Sequence, residues 1–239
     1  MRILLRQIAL AARELDSVAE TLCSVLGLEV AHNDPGVGIF GLRNALLPLG
    51  PGGFLEVVTP IQPDTTVGRL LDKQAANVCG YMVIYQTDDL EEARRRAVVA
   101  GQHVVWEIDL GEAATFHLHP KQLGAVVSFD RMKTWDDWLW AGPDWRAHPG
   151  KGEVTGLAGA TLAVADPAAA AARWQALLGE GAGDIAVGPA DASPGGLTSF
   201  ALRTAVPPAV IQARARAAGL AVTARGFRLG AVEVELRSA

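Results

Sequence analysis

Residues 80–130 read GYMVIYQTDDLEEARRRAVVAGQHVVWEIDLGEAATFHLHPKQLGAVVSFD, and their pattern decides the fold. MVIYQT is β-branched and aromatic, as a strand requires. Asp88 and Asp89 then stand where they can cap a helix whose apolar residues Leu90, Ala93, Ala97, Val98 and Ala100 fall on one side. Gly101 stops that helix. Three short runs follow, HVVWEIDL, ATFHLHP and GAVVSFD, with Gly-Glu-Ala and Lys-Gln-Leu-Gly between them, the spacing of an antiparallel meander. The unit is βαβββ.

Self-similarity extends the unit along the chain. At the N-terminus, ILLRQIALAARELDSVAETLCSVLGLEV sets Glu14 and Leu15 where Asp89 and Leu90 stand, and GVGIFGLRN and GGFLEVVTP follow. This predicts a strand over 3–11, a helix over 15–26 and strands near 29–32, 38–42 and 53–59. Residues 44–52, which hold Pro48 and Pro51, are expected to form a surface loop. A third start, LAGATLAVADPAAAAARWQALLGEG, carries Asp166-Pro167 at the cap position, and a fourth, LTSFALRTAVPPAVIQARARAAGLAV, aligns Gly219 with Gly101. The third module is short, because IAVG runs directly into PADASPGG and leaves no room for two more strands. The fourth ends in GAVEVELR, where Glu233 and Glu235 are expected to face water. The fold class is therefore α+β, with βαβββ modules paired into curled mixed sheets that form a cup, and with a second, shortened pair. The expected domains are 1–132, from modules 3–60 and 78–132, a Trp-rich linker at 133–153, and 154–239.

Composition narrows the partners. The chain has 239 residues, half of them hydrophobic, which is ample for a core. Net charge is −5 and the basic residues are scattered apart from Arg94–Arg96, so nucleic acid is not an expected partner. Cys23 and Cys79 form neither a disulfide framework nor a CxxC pair. MRILLRQIAL has no long apolar core and is needed as the first strand, so no membrane partner is expected and the expected location is cytoplasmic. Phosphate-binding loops, dinucleotide fingerprints, GxSxG and HExxH are all missing.

QIALAARELDSV, the FLEVVTP strand and HPKQLGAVVSF together resemble the vicinal oxygen chelate superfamily, which includes glyoxalases, methylmalonyl-CoA epimerases, extradiol dioxygenases and bleomycin resistance proteins. The resemblance covers 1–132 well and 154–239 less so. It implies a cup holding one divalent metal (Fe, Mn, Ni, Zn or Mg) on the first and last strands of each module. The matching positions here are Gln7, Glu56, Met82 and Ser128, of which Gln7 and Glu56 carry family-like ligands. A full family ligand set is absent. In the shortened pair the first-strand positions are Gly159 and Phe200, which cannot chelate.

Glu56 is the expected catalytic residue, since a carboxylate inside a cup must be paired, metal-bound or protonated. Gln7, Ala9, Met82 and Ser128 are expected to line the substrate pocket. His117 and His119 lie two apart on a strand, so with Glu56 they form a second candidate metal set. The resemblance implies a glyoxalase-like protein that binds a small molecule, with metal-assisted lyase, isomerase or dioxygenase chemistry on neighbouring oxygens. The alternative is a metal-free binding or resistance protein without catalysis. Trp135, Trp138, Trp140 and Trp145 in the linker are read as packing residues, a stacking platform or a homodimer contact.

Overall fold

A computed structural model of the chain describes residues 1–190 and 194–239, so residues 191–193 of the PADASPGG connection lie outside the described residues. The first module contains β1 (Ile3–Ala12), α1 (Leu15–Leu26), β2 (Leu42–Pro48) and β3 (Phe54–Pro60). Leu15, Val18, Leu22 and Leu26 bury one face of α1, and Gly27 ends it with φ 69°, a left-handed conformation that suits glycine. After α2 (Thr66–Gln74), the second module runs through β4 (Val78–Thr87), α3 (Leu90–Val99), β5 (Val104–Asp109), β6 (Ala113–Leu118) and β7 (Val126–Met132). Asp89 caps α3 by accepting from the Glu92 N–H at 2.9 Å. Ala93 and Ala97 are buried as expected, whereas Val98 is 72% exposed and turned away from the core.

These seven strands make one mixed sheet in the order β2-β3-β1-β4-β7-β6-β5. The modules join through antiparallel β1 and β4, while each first strand runs parallel to its module's last strand. Three expectations in module one are corrected. The strand near 29–32 is reduced to a single bridge between His32 and Leu46, and the one near 38–42 is replaced by a 3-10 helix over Pro35–Phe40. The segment read as a surface loop holds the buried strand β2. Pro48 misled the reading: β2 is the edge of the sheet, where a missing N–H is tolerated.

The second sheet, in the order β11-β12-β10-β8-β9, comes from β8 (Val154–Val164), α4 (Pro167–Leu178), β9 (Ile185–Pro189), β10 (Gly196–Thr204), α5 (Pro208–Ala217), β11 (Gly226–Leu229) and β12 (Val232–Ser238). A single strand, β9, lies between α4 and β10 among the described residues. The two sheets share one core, in which Ile8, Val83, Tyr85 and Phe129 join Leu162, Phe200, Phe227 and Val234. Backbones meet closely there: a Cβ on Gly80 would stand 2.4 Å from Leu197 Cβ. That leaves the other face of each sheet free to form a cup. Among the described residues, no helix is long and apolar enough to cross a membrane.

Candidate functional site

Strand alternation sorts the N-terminal sheet cleanly. Leu55, Val57, Val83, Phe116, Val127 and Phe129 enter the shared core. The opposite side chains, Gln7 of β1, Asn44 of β2, Glu56 of β3, Met82 and Ile84 of β4, and Ser128 and Asp130 of β7, line a cavity of about 440 Å³. Its outer wall is apolar and aromatic, built by Val37, Ile39, Phe40, Trp106, Ile108 and Trp140.

The floor is a bonded polar network. Glu56 Oε2 accepts from Gln7 Nε2 at 2.8 Å, and Glu56 Oε1 accepts from Asn44 Nδ2 at 2.7 Å. Both amides are locked in that sense by second bonds. Gln7 Oε1 accepts from Trp138 Nε1 at 2.7 Å, and Asn44 Oδ1 accepts from the Asp34 N–H at 2.8 Å. Glu56 therefore faces two fixed donors. Across the sheet, Asp130 accepts from the Ser128 hydroxyl and, at 2.7 Å, from Trp140 Nε1. The Thr115 hydroxyl lies 2.8 Å from that of Ser128.

Burial pushes the Glu56 carboxyl up to about 7, against the downward pull of the Asn44 and Gln7 bonds. Burial likewise pushes Asp130 up to about 7, with the charge of Glu56 adding to the rise and its hydrogen bonds opposing it. Burial lowers His117 to about 4, so its ring is neutral near neutral pH.

Register shows how the two modules differ. Ala9 pairs with Glu56 and Gln7 with Phe54, while Ile84 pairs with Ser128 and Met82 with Val126. Met82 and Ser128 are thus the counterparts of Gln7 and Glu56. The second carboxylate, Asp130, has moved two residues along the strand, onto the same face.

The Trp-rich segment covers this cup and does not fill the seam between the sheets. Trp138 is buried and stacks on Phe54 with ring centroids 6.0 Å apart, and Trp145 meets the same ring edge-on at 5.0 Å. Trp138 and Trp140, two residues apart, each donate to a different half of the floor. Trp138 and Trp145 thus pack within the apolar cluster, while Trp140 lines the cavity.

Of the expected pocket residues, Gln7, Met82 and Ser128 line the cavity together with Glu56, the expected catalytic residue, and Ala9 is buried in the apolar cluster beneath it. His117 lines it too, with its ring 4.7 Å from that of Trp106. His119 does not: it is exposed and caps the Pro120–Gln122 turn, accepting from the Lys121 N–H at 3.1 Å. The strand ends at Leu118, so the two-residue alternation expected to align His117 and His119 is broken.

These residues do not fit a divalent ion. Gln7 turns its NH2 group, not its carbonyl, toward Glu56, Met82 offers a thioether, and Ser128 donates to Asp130, so of the four family positions only Glu56 presents a hard anionic donor. Among the described residues, no group of three or more His, Cys, Asp or Glu is arranged to hold a metal.

Asn44 and Asp130 were missed by sequence reasoning. Asn44 lay in the supposed loop, although Leu42, Asn44 and Leu46 alternate. Asp130 stands at the expected end of its strand, although it follows Ser128 by two and so shares its face.

The sequence profile described as a glyoxalase-like domain matches residues 8–178. Similar solved structures include a variant of Streptomyces coelicolor methylmalonyl-CoA epimerase in complex with 2-nitronate-propionyl-CoA, 21% identical with a TM-score of 0.48, covering 54% of this chain and 97% of that one. Methylmalonyl-CoA epimerase from Mycobacterium tuberculosis is also 21% identical with a TM-score of 0.48, covering 54% of this chain and 88% of that one. Comparison with curated proteins found no match.

Proposed function

The chain belongs to the glyoxalase-like domain family, and we propose that its N-terminal cup binds a small molecule without a metal ion. The observation that carries this reading is the cavity of about 440 Å³, apolar on its walls and acidic on its floor. Small-molecule sites combine those features at that size. The apolar body of the ligand rests against Phe40, Trp106, Met82 and Ile84, and its polar end meets Glu56 and Asp130.

A second reading is favoured by the place of Glu56 on the cavity floor, where burial pushes its carboxyl up to about 7. A base poised near neutrality suits proton abstraction beside a carbonyl, as in lyase or isomerase chemistry, with no step through a metal.

Chelator-treated, isotope-labelled protein titrated with aromatic fragments tests both readings by NMR. The indole N–H signals of Trp106 and Trp140 should shift, and Trp106→Ala should weaken binding about tenfold. Fragments that move only Trp135, which lies outside the cavity, would contradict the binding reading. A parallel incubation in D2O reads the second: bound carbonyl fragments should exchange an acidic C–H in the wild type and not in Glu56→Gln, and exchange that persists in the variant would contradict it.

A further inference from the structure

The two cups of this chain treat an equivalent carboxylate in opposite ways. Glu235 on β12 pairs with Ala201 across parallel strands, as Glu56 pairs with Ala9. Ser199 Oγ donates to Glu235 Oε1 at 3.0 Å, in the place of the Gln7 amide. Phe200, expected at the first-strand position of this pair, is in the shared core and Ser199 is the counterpart of Gln7, while Glu233 and Glu235, expected to face water, are buried.

The chain supplies its own cations in this second cup. Arg225 Nη1 lies 3.0 Å and Arg237 Nη2 3.3 Å from the Glu235 carboxylate, and Arg225 Nη2 lies 2.8 Å from Glu233. The hollow that remains is about 60 Å³. Among the described residues, the lining of the first cup holds no such partner. Its titratable lining consists of Asp34, Glu56, Tyr81, His117 and Asp130, with neither Lys nor Arg. Arg6, the buried guanidinium of the same sheet, sits over the rings of Phe54 and Trp138 and lines no part of the cavity.

Resting on the small-molecule reading of this cup, we propose that its ligand is an organic ammonium ion with an apolar, ring-sized body. The charge of the ligand takes the place beside Glu56 and Asp130 that Arg225 and Arg237 take beside Glu235. Buried carboxylates call for a compensating charge, and the space left open is large enough to admit one from outside. Phe40, Tyr81, Trp106 and Trp140 add π faces that attract a desolvated cation. Because both carboxyls stand near 7 without a ligand, the cation displaces protons from them, and affinity rises as pH passes 7. Neutral His117 and the Tyr81 hydroxyl do not oppose it.

The test is calorimetric titration of the full chain at pH 8 with three molecules on one scaffold: 2-naphthylethylamine, the matching alcohol and the matching carboxylic acid. The amine should bind at least about tenfold more tightly than the alcohol, and the acid more weakly than either. In Glu56→Gln/Asp130→Asn the ratio of amine to alcohol affinity should fall towards one. Should that variant fail to fold, wild-type titrations at pH 7 in two buffers of different ionisation heat should read proton release with the amine and none with the alcohol. Equal affinity for alcohol and amine, or amine binding without proton release, would overturn the ammonium assignment and leave the pocket reading standing. Binding of none of the three would overturn the pocket reading itself.

Discussion

Trp138→Ala should lower the unfolding free energy by about 3–5 kcal/mol, the range for emptying a buried aromatic site. Trp138 is 1% exposed, stacks on Phe54 and donates to Gln7. Its removal opens a cavity over the cup and leaves Gln7 Oε1 without its donor. The Gln7 amide is then free to turn, and Glu56 loses one of its two fixed donors. Trp135→Ala is the control: this ring is half-buried under the Arg2 guanidinium, 3.8 Å from its centroid, and should cost about 1 kcal/mol or less. Urea unfolding of the three proteins measures the difference. Equal losses would mean that the Trp-rich segment merely rests on the cup.

The second large effect is a pH dependence. In the folded chain Glu56 rises from 4.5 to about 7 and Asp130 from 3.8 to about 7. A carboxyl whose folded value is raised contributes stability that is fully present below its unfolded value and lost as pH rises through the folded one. The wild-type chain should therefore lose stability between about pH 4 and pH 8, each group contributing on the order of 3–5 kcal/mol at about 1.4 kcal/mol per pKa unit. Glu56→Gln separates this charge effect from the hydrogen bonds. At pH 5 it should cost about 1–3 kcal/mol, because its own NH2 meets the locked amide of Gln7 or Asn44. By pH 8 that gap should close or reverse, since only the wild type then carries the buried charge. Unfolding free energies of both proteins at pH 5 and pH 8 check this. A gap that stays constant with pH would place Glu56 at an ordinary carboxylate value.

Much of this was legible from residues with local signals. The residue 80–130 stretch gave a complete module because each of its breaks is marked by Gly or Asp, and Glu56 stood out as a carboxylate on the face shared with Phe54. Where the local signal misled, the reason is tertiary. Pro48 looked like a breaker because sequence does not show that β2 is an edge strand. Val98 fits the helical period of α3 yet lies beyond the stripe that the sheet covers. The bond between Trp138 and Gln7 spans 131 positions and leaves no trace in spacing. His119 fails for a converse reason: His-x-His spacing aligns two rings only while the strand continues, and β6 ends between them. The arginines that neutralise Glu235 come from β12 itself and from the segment before β11, so the burial of that carboxylate was hidden by a pattern that looks solvent-facing.

The central claim, a binding cup whose carboxylates serve a ligand without a metal, is tested most directly by metal content. Full-length protein purified without chelator, then incubated with Mn, Fe, Ni or Zn and desalted, should hold far less than one equivalent of any of them by mass spectrometry. Glu56→Ala should leave that value unchanged. One equivalent in the wild type that disappears in Glu56→Ala would contradict the account and place a metal where Gln7 and Asn44 now donate.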